Sequence, residues 1–274
     1  MGAGDQGATE GEPRATPVGL GLRLGRSVME ILVFDMETRV DKELLRRVRY
    51  PGQMLSDDEA YERMRDELDW ATGSDFFPLT FQVPVSIALV RAGEDYVLSG
   101  LEVLGADALS EAGLVQAFWS RLEAFEGMLV SFNGRAFDLP VLELQALRHG
   151  CSAPNYFGDR NGLRARHGRH CDLYDWLTNG GAMRLRGGLD LVAKLVGLPG
   201  KGDVSGADVQ MLWERGAWED IHRYCRDDVL QTYFLFLRIE HMRGRLSAER
   251  LAQVETATSE YRALLGTREK HEAR

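Results

Sequence analysis

Ile31-Leu32-Val33-Phe34 is a short unbroken apolar run, the pattern of a buried central strand, and it leads straight into Asp35-Met36-Glu37-Thr38. Phe81–Arg91 and Tyr96–Leu104, separated by Ala92-Gly93-Glu94-Asp95, predict a hairpin. Leu114, Phe118, Leu122 and Phe125 recur at helical spacing within 109–125, and Met128–Phe132 predicts another strand. Pro140 suits the first turn of a helix that carries Leu142, Leu144 and Leu147 and stops at Gly150. The later chain reads as helical over 173–177, over 189–196 and from Ala217 to about Met242. That last helix has Glu219 and Asp220 in its first turn and Arg238, His241 and Arg243 near its end, so both ends complement the helix dipole. Residues 247–266 form a further amphipathic stretch.

Two segments depart from this rhythm. Residues 1–26, rich in Gly and small residues with Pro13 and Pro17, have no periodicity and predict a disordered leader. Residues 39–80 predict an insertion of loops and one or two helices, one of them starting at Ser56-Asp57-Asp58-Glu59. Strand, hairpin, helix, strand and then helices imply an α/β fold, a mixed central β-sheet flanked by helices. One domain over 27–244 is expected, with a C-terminal helix and charged tail over 245–274.

Composition narrows the class. A hydrophobic fraction of 44% and a charged fraction of 27% are ordinary for a soluble globular protein. No apolar run approaches the roughly 20 residues of a membrane span, and the N-terminus lacks the apolar region of a signal peptide. Cys151, Cys171 and Cys225 form no CxxC pair, so a reducing, cytoplasmic location is expected. The net charge of −9 counts against gripping long duplex DNA through its phosphates. It counts less against handling a single strand end, where bound cations supply local positive charge. Arg160, Arg164, Arg166, Arg169, Arg184 and Arg186 are set against Asp172 and Asp175 alone. That segment reads equally as a solvated face or as a rim touching phosphates.

Four carboxylates and a tyrosine carry the candidate chemistry. Asp35 and Glu37 lie two apart, so on a strand both side chains share a face. Asp138 follows the turn-forming Asn133-Gly134 and, taken alone, reads first as a helix N-cap. Tyr224 and Asp228 lie four apart, about 6 Å along a helix axis on one face, which leaves Asp227 nearer solvent. If these acids converge, they repel one another and lose hydration. Mg²⁺ or Mn²⁺ resolves that conflict, because hard cations prefer carboxylate oxygen. A cage for two such ions suits in-line displacement at phosphorus.

The combination resembles a known family. Phe34-Asp35-Met36-Glu37-Thr38, Asn133-Gly134-Arg135-Ala136-Phe137-Asp138 and Tyr224-Cys225-Arg226-Asp227-Asp228 look like the three exonuclease motifs of the DEDD superfamily, tyrosine branch, in the expected order. Leu189-Asp190-Leu191, Gly197-Leu198-Pro199-Gly200-Lys201 and Asp203-Val204-Ser205-Gly206 further resemble stand-alone bacterial exonucleases related to the proofreading domain of family B DNA polymerases. The resemblance covers roughly residues 29–240. It implies an RNase H-like fold and removal of nucleotides from a 3′ end with two divalent cations, Mg²⁺ or Mn²⁺. Carried over by position, Asp35 would bridge the two ions, Glu37 and Asp228 would complete one site, and Asp138 would hold the second ion. Tyr224 would orient the attacking water, since a phenol with an unperturbed pKa near 10 is a poor base at neutral pH. Thr38, Asn133 and Phe137 would approach the terminal nucleotide, although Phe137 reads equally as core and Thr38 as the start of a loop. The expected partner is nucleic acid with a free 3′ end, single-stranded DNA first and RNA as the alternative. A non-catalytic nucleic-acid-binding protein with the same fold is the third reading.

Other signals weigh less. His167, His170 and Cys171 lack a second pair of zinc-ligand spacing. Gly200-Lys201 lacks the first glycine of a phosphate loop, with Leu195 in its place. Trp213 and Trp218 fit packing between helices better than stacking on bases.

Overall fold

Alternate residues of the first strand face different neighbours, and this alternation sets up the architecture. The computed structural model describes residues 30–165, 168–200 and 206–264. The expected leader, Arg166, His167, Lys201, the Asp203-Val204-Ser205 stretch and the chain from 265 onward lie outside them. The strands are β1 (Ile31–Val40), β2 (Gln82–Ala92), β3 (Leu98–Gly105), β4 (Met128–Ser131) and β5 (His170–Asp172). They form one sheet in the order β3-β2-β1-β4-β5. β2 runs antiparallel to β1 and β3, while β1, β4 and β5 are mutually parallel. This is the RNase H-like arrangement of a mixed sheet.

Helices cover both faces: α1 (Lys42–Arg49), α2 (Asp57–Thr72), α3 (Glu111–Glu123), α4 (Asp138–His149), α5 (Pro154–Phe157), α6 (Leu173–Leu177), α7 (Gly188–Leu195), α8 (Val209–Glu214), α9 (Trp218–Met242), α10 (Ala248–Ala257) and α11 (Ser259–Leu264). Leu32, Phe34 and Met36 pack with Phe118, Trp119 and Leu122 of α3 and Leu142 of α4. Ile31 and Val33 pack on the opposite face with Val229, Tyr233 and Phe236 of α9. Each such side chain, once buried, contributes about 1.5–3 kcal/mol relative to exposure, so β1 is anchored from both faces. Among the described residues, no helix is long and apolar enough to cross a membrane.

The insertion is the helical pair α1–α2, packed through Leu45, Ala60, Met64 and Phe77. Ser56 caps α2 with a capping box: its hydroxyl accepts from the Glu59 amide, and Glu59 Oε2 accepts from the Ser56 amide at 2.7 Å. Three differences from the sequence expectations matter. β1 extends well beyond the apolar run 31–34, to Val40, with a bulge between Glu37 and Thr38, because it stays paired to β2 along its length. β5, α5 and α8 went unforeseen, being too short to show periodicity. The 247–266 stretch divides into α10 and α11, with a break at Thr258.

Candidate active site

The face of β1 that packs on α9 changes character along its length. Ile31 and Val33 are apolar, and the next two positions on the same face are Asp35 and Glu37. Glu37 is buried and Asp35 is half-buried. Across from them, α9 presents the buried stripe Ile221, Tyr224, Cys225, Asp228 and Val229 at helical spacing. The strand and the helix therefore turn their acids into one cavity by continuing the same two periodicities that build the core. Asp227 is less buried than Asp228 and pairs with the neighbouring Arg226 at 2.9 Å, as the spacing implied.

Asp138 arrives on a constrained loop. Asn133 adopts a left-handed conformation (φ 66°), and a Cβ on Gly134 would meet Ser131 Oγ at 2.5 Å, so only glycine fits there. The buried Asp172 carboxylate, at the end of β5, clamps this loop by accepting from the Asn133 and Arg135 amides, each at 2.8 Å. The same side chain caps α6. Burial pushes the Asp172 carboxyl up, and its amide donors oppose that shift. Asp138 is the first residue of α4 and Phe137 is the cap position, with no side-chain capping bond. The N-cap reading of Asp138 is thus corrected: the loop closes around Asp172 instead, leaving the Asp138 carboxylate to line the cavity.

All eight sequence-predicted residues line one cavity of about 380 Å³. Asp35, Glu37, Asp138 and Asp228 supply four of its acids, and Tyr224, Thr38, Asn133 and Phe137 complete the predicted set. Thr38 Oγ1 donates to Gln82 Oε1 at 2.9 Å, and Gln210 Oε1 accepts from the Val40 amide at 2.7 Å, which fixes the rim of β1. The sequence reading missed Tyr61, Asp75, Phe76 and Phe77, which the insertion and the segment after it contribute to the same cavity. None of the described arginines of the 160–186 segment lines this cavity. Arg164 pairs with Glu143, and Arg169 Nε donates to the Asn161 carbonyl at 2.8 Å.

The donor chemistry fits hard cations. One oxygen each from Asp35 and Glu37 and the Cys225 sulfur lie within 4.8 Å of one another. The thiol is the odd member of that trio. Burial, then the fields of Asp35 and Glu37, push it well above its ordinary range, and its Sγ donates to the Asp35 carbonyl at 3.6 Å. A thiol held toward its neutral form is a weak ligand, which leaves the carboxylate oxygens as the donors suited to a divalent metal ion. Behind it, Ser86 Oγ lies 3.0 Å from His222 Nδ1, whose Nε2 lies 2.9 Å from Asp107. This line ties β2 to α9 beside the acids. On the other side, buried His170 holds Ser131 at 2.8 Å, and burial lowers its pKa to about 3. His170 is therefore a neutral structural residue, separate from any metal cluster found among the described residues.

Residues 74–273 match a family described as predicted 3′-5′ exonuclease related to the exonuclease domain of PolB. The matched span includes Asp138, Tyr224 and Asp228 and begins after Asp35 and Glu37. No curated protein matches the sequence. Among solved structures, the family B DNA polymerase from the hyperthermophilic archaeon Pyrobaculum calidifontis is similar over 95% of this chain and 29% of its own, at 19% identity and a TM-score of 0.48. E. coli exonuclease I in complex with a 5cy-dT13 oligonucleotide is similar over 83% of this chain and 43% of its own, at 13% identity and a TM-score of 0.39. A product-bound exonuclease I gives 86% and 45%, at 13% identity and a TM-score of 0.34. The chain thus spans less than half the length of each.

Proposed function

The chain belongs to the family of 3′-5′ exonucleases related to the exonuclease domain of PolB, and from that premise we propose that it shortens single-stranded DNA from the 3′ end by hydrolysis in the cavity of Asp35, Glu37, Asp138 and Asp228. One observation carries the reading: residues from three motifs, spread from position 35 to position 228, line the same cavity. Four carboxylates together are costly in a fold unless something offsets their repulsion.

Asp35, Glu37, Asp138 and Asp228 would hold two divalent cations, Mg²⁺ or Mn²⁺. Bound there, they would polarise the scissile phosphate, lower the pKa of the attacking water and offset charge on the leaving oxygen. The chain's own residues do the positioning. The Tyr224 hydroxyl, on the same face of α9 as Asp228, orients the water for in-line attack. Asn133, held in its left-handed turn by Asp172, and Thr38, held by Gln82, fix the terminal nucleotide. Phe137 gives its base an apolar surface.

The test is nucleotide release from an end-labelled single-stranded oligonucleotide with Mn²⁺, for wild type, Asp35→Ala and Asp228→Ala. Loss on the order of 10³-fold is expected in both variants, in line with the several kcal/mol a Lewis acid supplies. Equal activity in all three proteins would refute the proposal. Matched DNA and RNA oligomers run in parallel decide the sugar.

A further inference from the structure

The cavity is one-sided in charge. Its lining includes five carboxylates, those of Asp35, Glu37, Asp75, Asp138 and Asp228, and neither a lysine nor an arginine among the described residues. A nucleic-acid end entering it gains little from phosphate neutralisation by the protein, the usual source of affinity. Cations held by the acids would engage the scissile phosphate, and for the rest of the terminal nucleotide the same cavity offers aromatic rings.

Phe76 and Phe77 are neighbours in sequence with opposite fates. Phe77 is 5% exposed and stacks on Tyr61 of α2, with ring centroids 4.8 Å apart and planes 11° apart. It anchors the segment to the insertion. Phe76 is 58% exposed and stands against Phe137 at 5.6 Å, with planes 60° apart. In contact, these two rings form a corner rather than a slot, with the outer surface of Phe76 open to the cavity. A large ring left in water beside a site that handles bases is a stacking platform without its base.

We propose that the Phe76–Phe137 corner receives the 3′-terminal base of an unpaired strand, and that stacking on Phe76 there, rather than contact of lysine or arginine with phosphate, is the protein's own contribution to affinity for the end. The inference rests on the nuclease reading for its choice of ligand. It also explains what the segment after α2 does for the site. A base paired in a duplex cannot offer its face to Phe76 without leaving the helix stack, so the corner selects unpaired ends.

The test is binding of an oligonucleotide carrying 2-aminopurine as its 3′-terminal base, followed by fluorescence quenching. Ca²⁺ is present, because it occupies carboxylate sites with looser geometry than Mg²⁺. Wild type, Phe76→Leu and Phe76→Trp are compared, and because Phe76 is mostly exposed all three are expected to melt alike. Wild type should quench the single strand and leave a blunt duplex bright. Phe76→Leu should bind roughly tenfold more weakly, a modest value for one lost base stack, and Phe76→Trp should restore binding. Binding should also fall only shallowly with salt. Equal binding by wild type and Phe76→Leu, absence of quenching by wild type, or equal quenching of the duplex would overturn the proposal. Hydrolysis in Mn²⁺ separates the two claims. Quenching without hydrolysis sinks the nuclease reading alone, while hydrolysis lost in Asp35→Ala but with Phe76→Leu binding like wild type sinks only the corner.

Discussion

On one side of the cavity the acids sit on elements that the core grips from behind. Asp138 and Asp228 are 5% and 3% exposed, on α4 and α9, and β1 is packed on both faces. Phe76, in contrast, rides on a connecting segment after α2, in contact with Phe137 and next to Phe77, which stacks on Tyr61. The first wall spends core positions on charge, which weakens packing and makes sense only if geometry must be held closely. The second wall leaves apolar surface in water, which suits a partner of variable shape such as any of the bases. On the proposed reading, chemistry falls to the core-packed elements and recognition to the connecting segment.

Tyr224→Phe offers the strongest way to break that division. It removes one hydroxyl from the acid wall and leaves the packed ring, so kcat should fall on the order of 10²-fold, the cost of a misplaced reactant. KM and metal-induced stabilisation should stay near wild type. An unchanged kcat would place the tyrosine in packing alone.

Acid should reach the carboxylate wall first, through His170. In the folded protein burial holds this imidazole near a pKa of 3, while in the unfolded chain it returns to about 6.5. As pH falls below about 6.5, the unfolded chain takes up a proton that the folded protein refuses. Its contribution to stability is therefore intact above about pH 6.5 and is lost progressively toward pH 3. Denaturant melts between pH 6 and pH 4 should show a steeper loss for wild type than for His170→Gln, by up to about 1.4 kcal/mol per pH unit. Parallel slopes would mean that the ring is protonated in the fold.

The smallest effect belongs to the insertion. Ser56→Ala removes the capping box of α2 and should cost about 1 kcal/mol in urea unfolding. Stabilisation by Mn²⁺ should persist in this variant. If it disappeared along with the cap, the two walls would not be separable.

Much of this was legible from periodicity. An acid at the continuation of a buried strand face, and another inside the buried stripe of a long helix, are violations that packing alone does not explain, and Asp35, Glu37 and Asp228 announced themselves that way. Asp138 was harder, because an acid at a helix start is ordinary and only the Asp172 clamp, thirty-odd residues later in a three-residue strand, explains its placement. Tyr61 and Phe76 were hidden for a different reason. Their part in the site depends on how the α1–α2 pair folds back, a long-range contact that no local pattern encodes. In the arginine-rich segment, Arg164 pairs with Glu143 and Arg169 with a backbone carbonyl, and none of its described arginines lines the cavity of the acids.

The central claim is that the four acids exist to hold cations, and thermal melting with and without Mn²⁺ tests it most directly. Wild type should gain stability with rising Mn²⁺, about 2.7 kcal/mol at a hundredfold excess over Kd. Asp35→Ala, folded and melting normally in EDTA, should gain almost none. A wild type indifferent to Mn²⁺, or an Asp35→Ala protein stabilised just as strongly, would contradict the account.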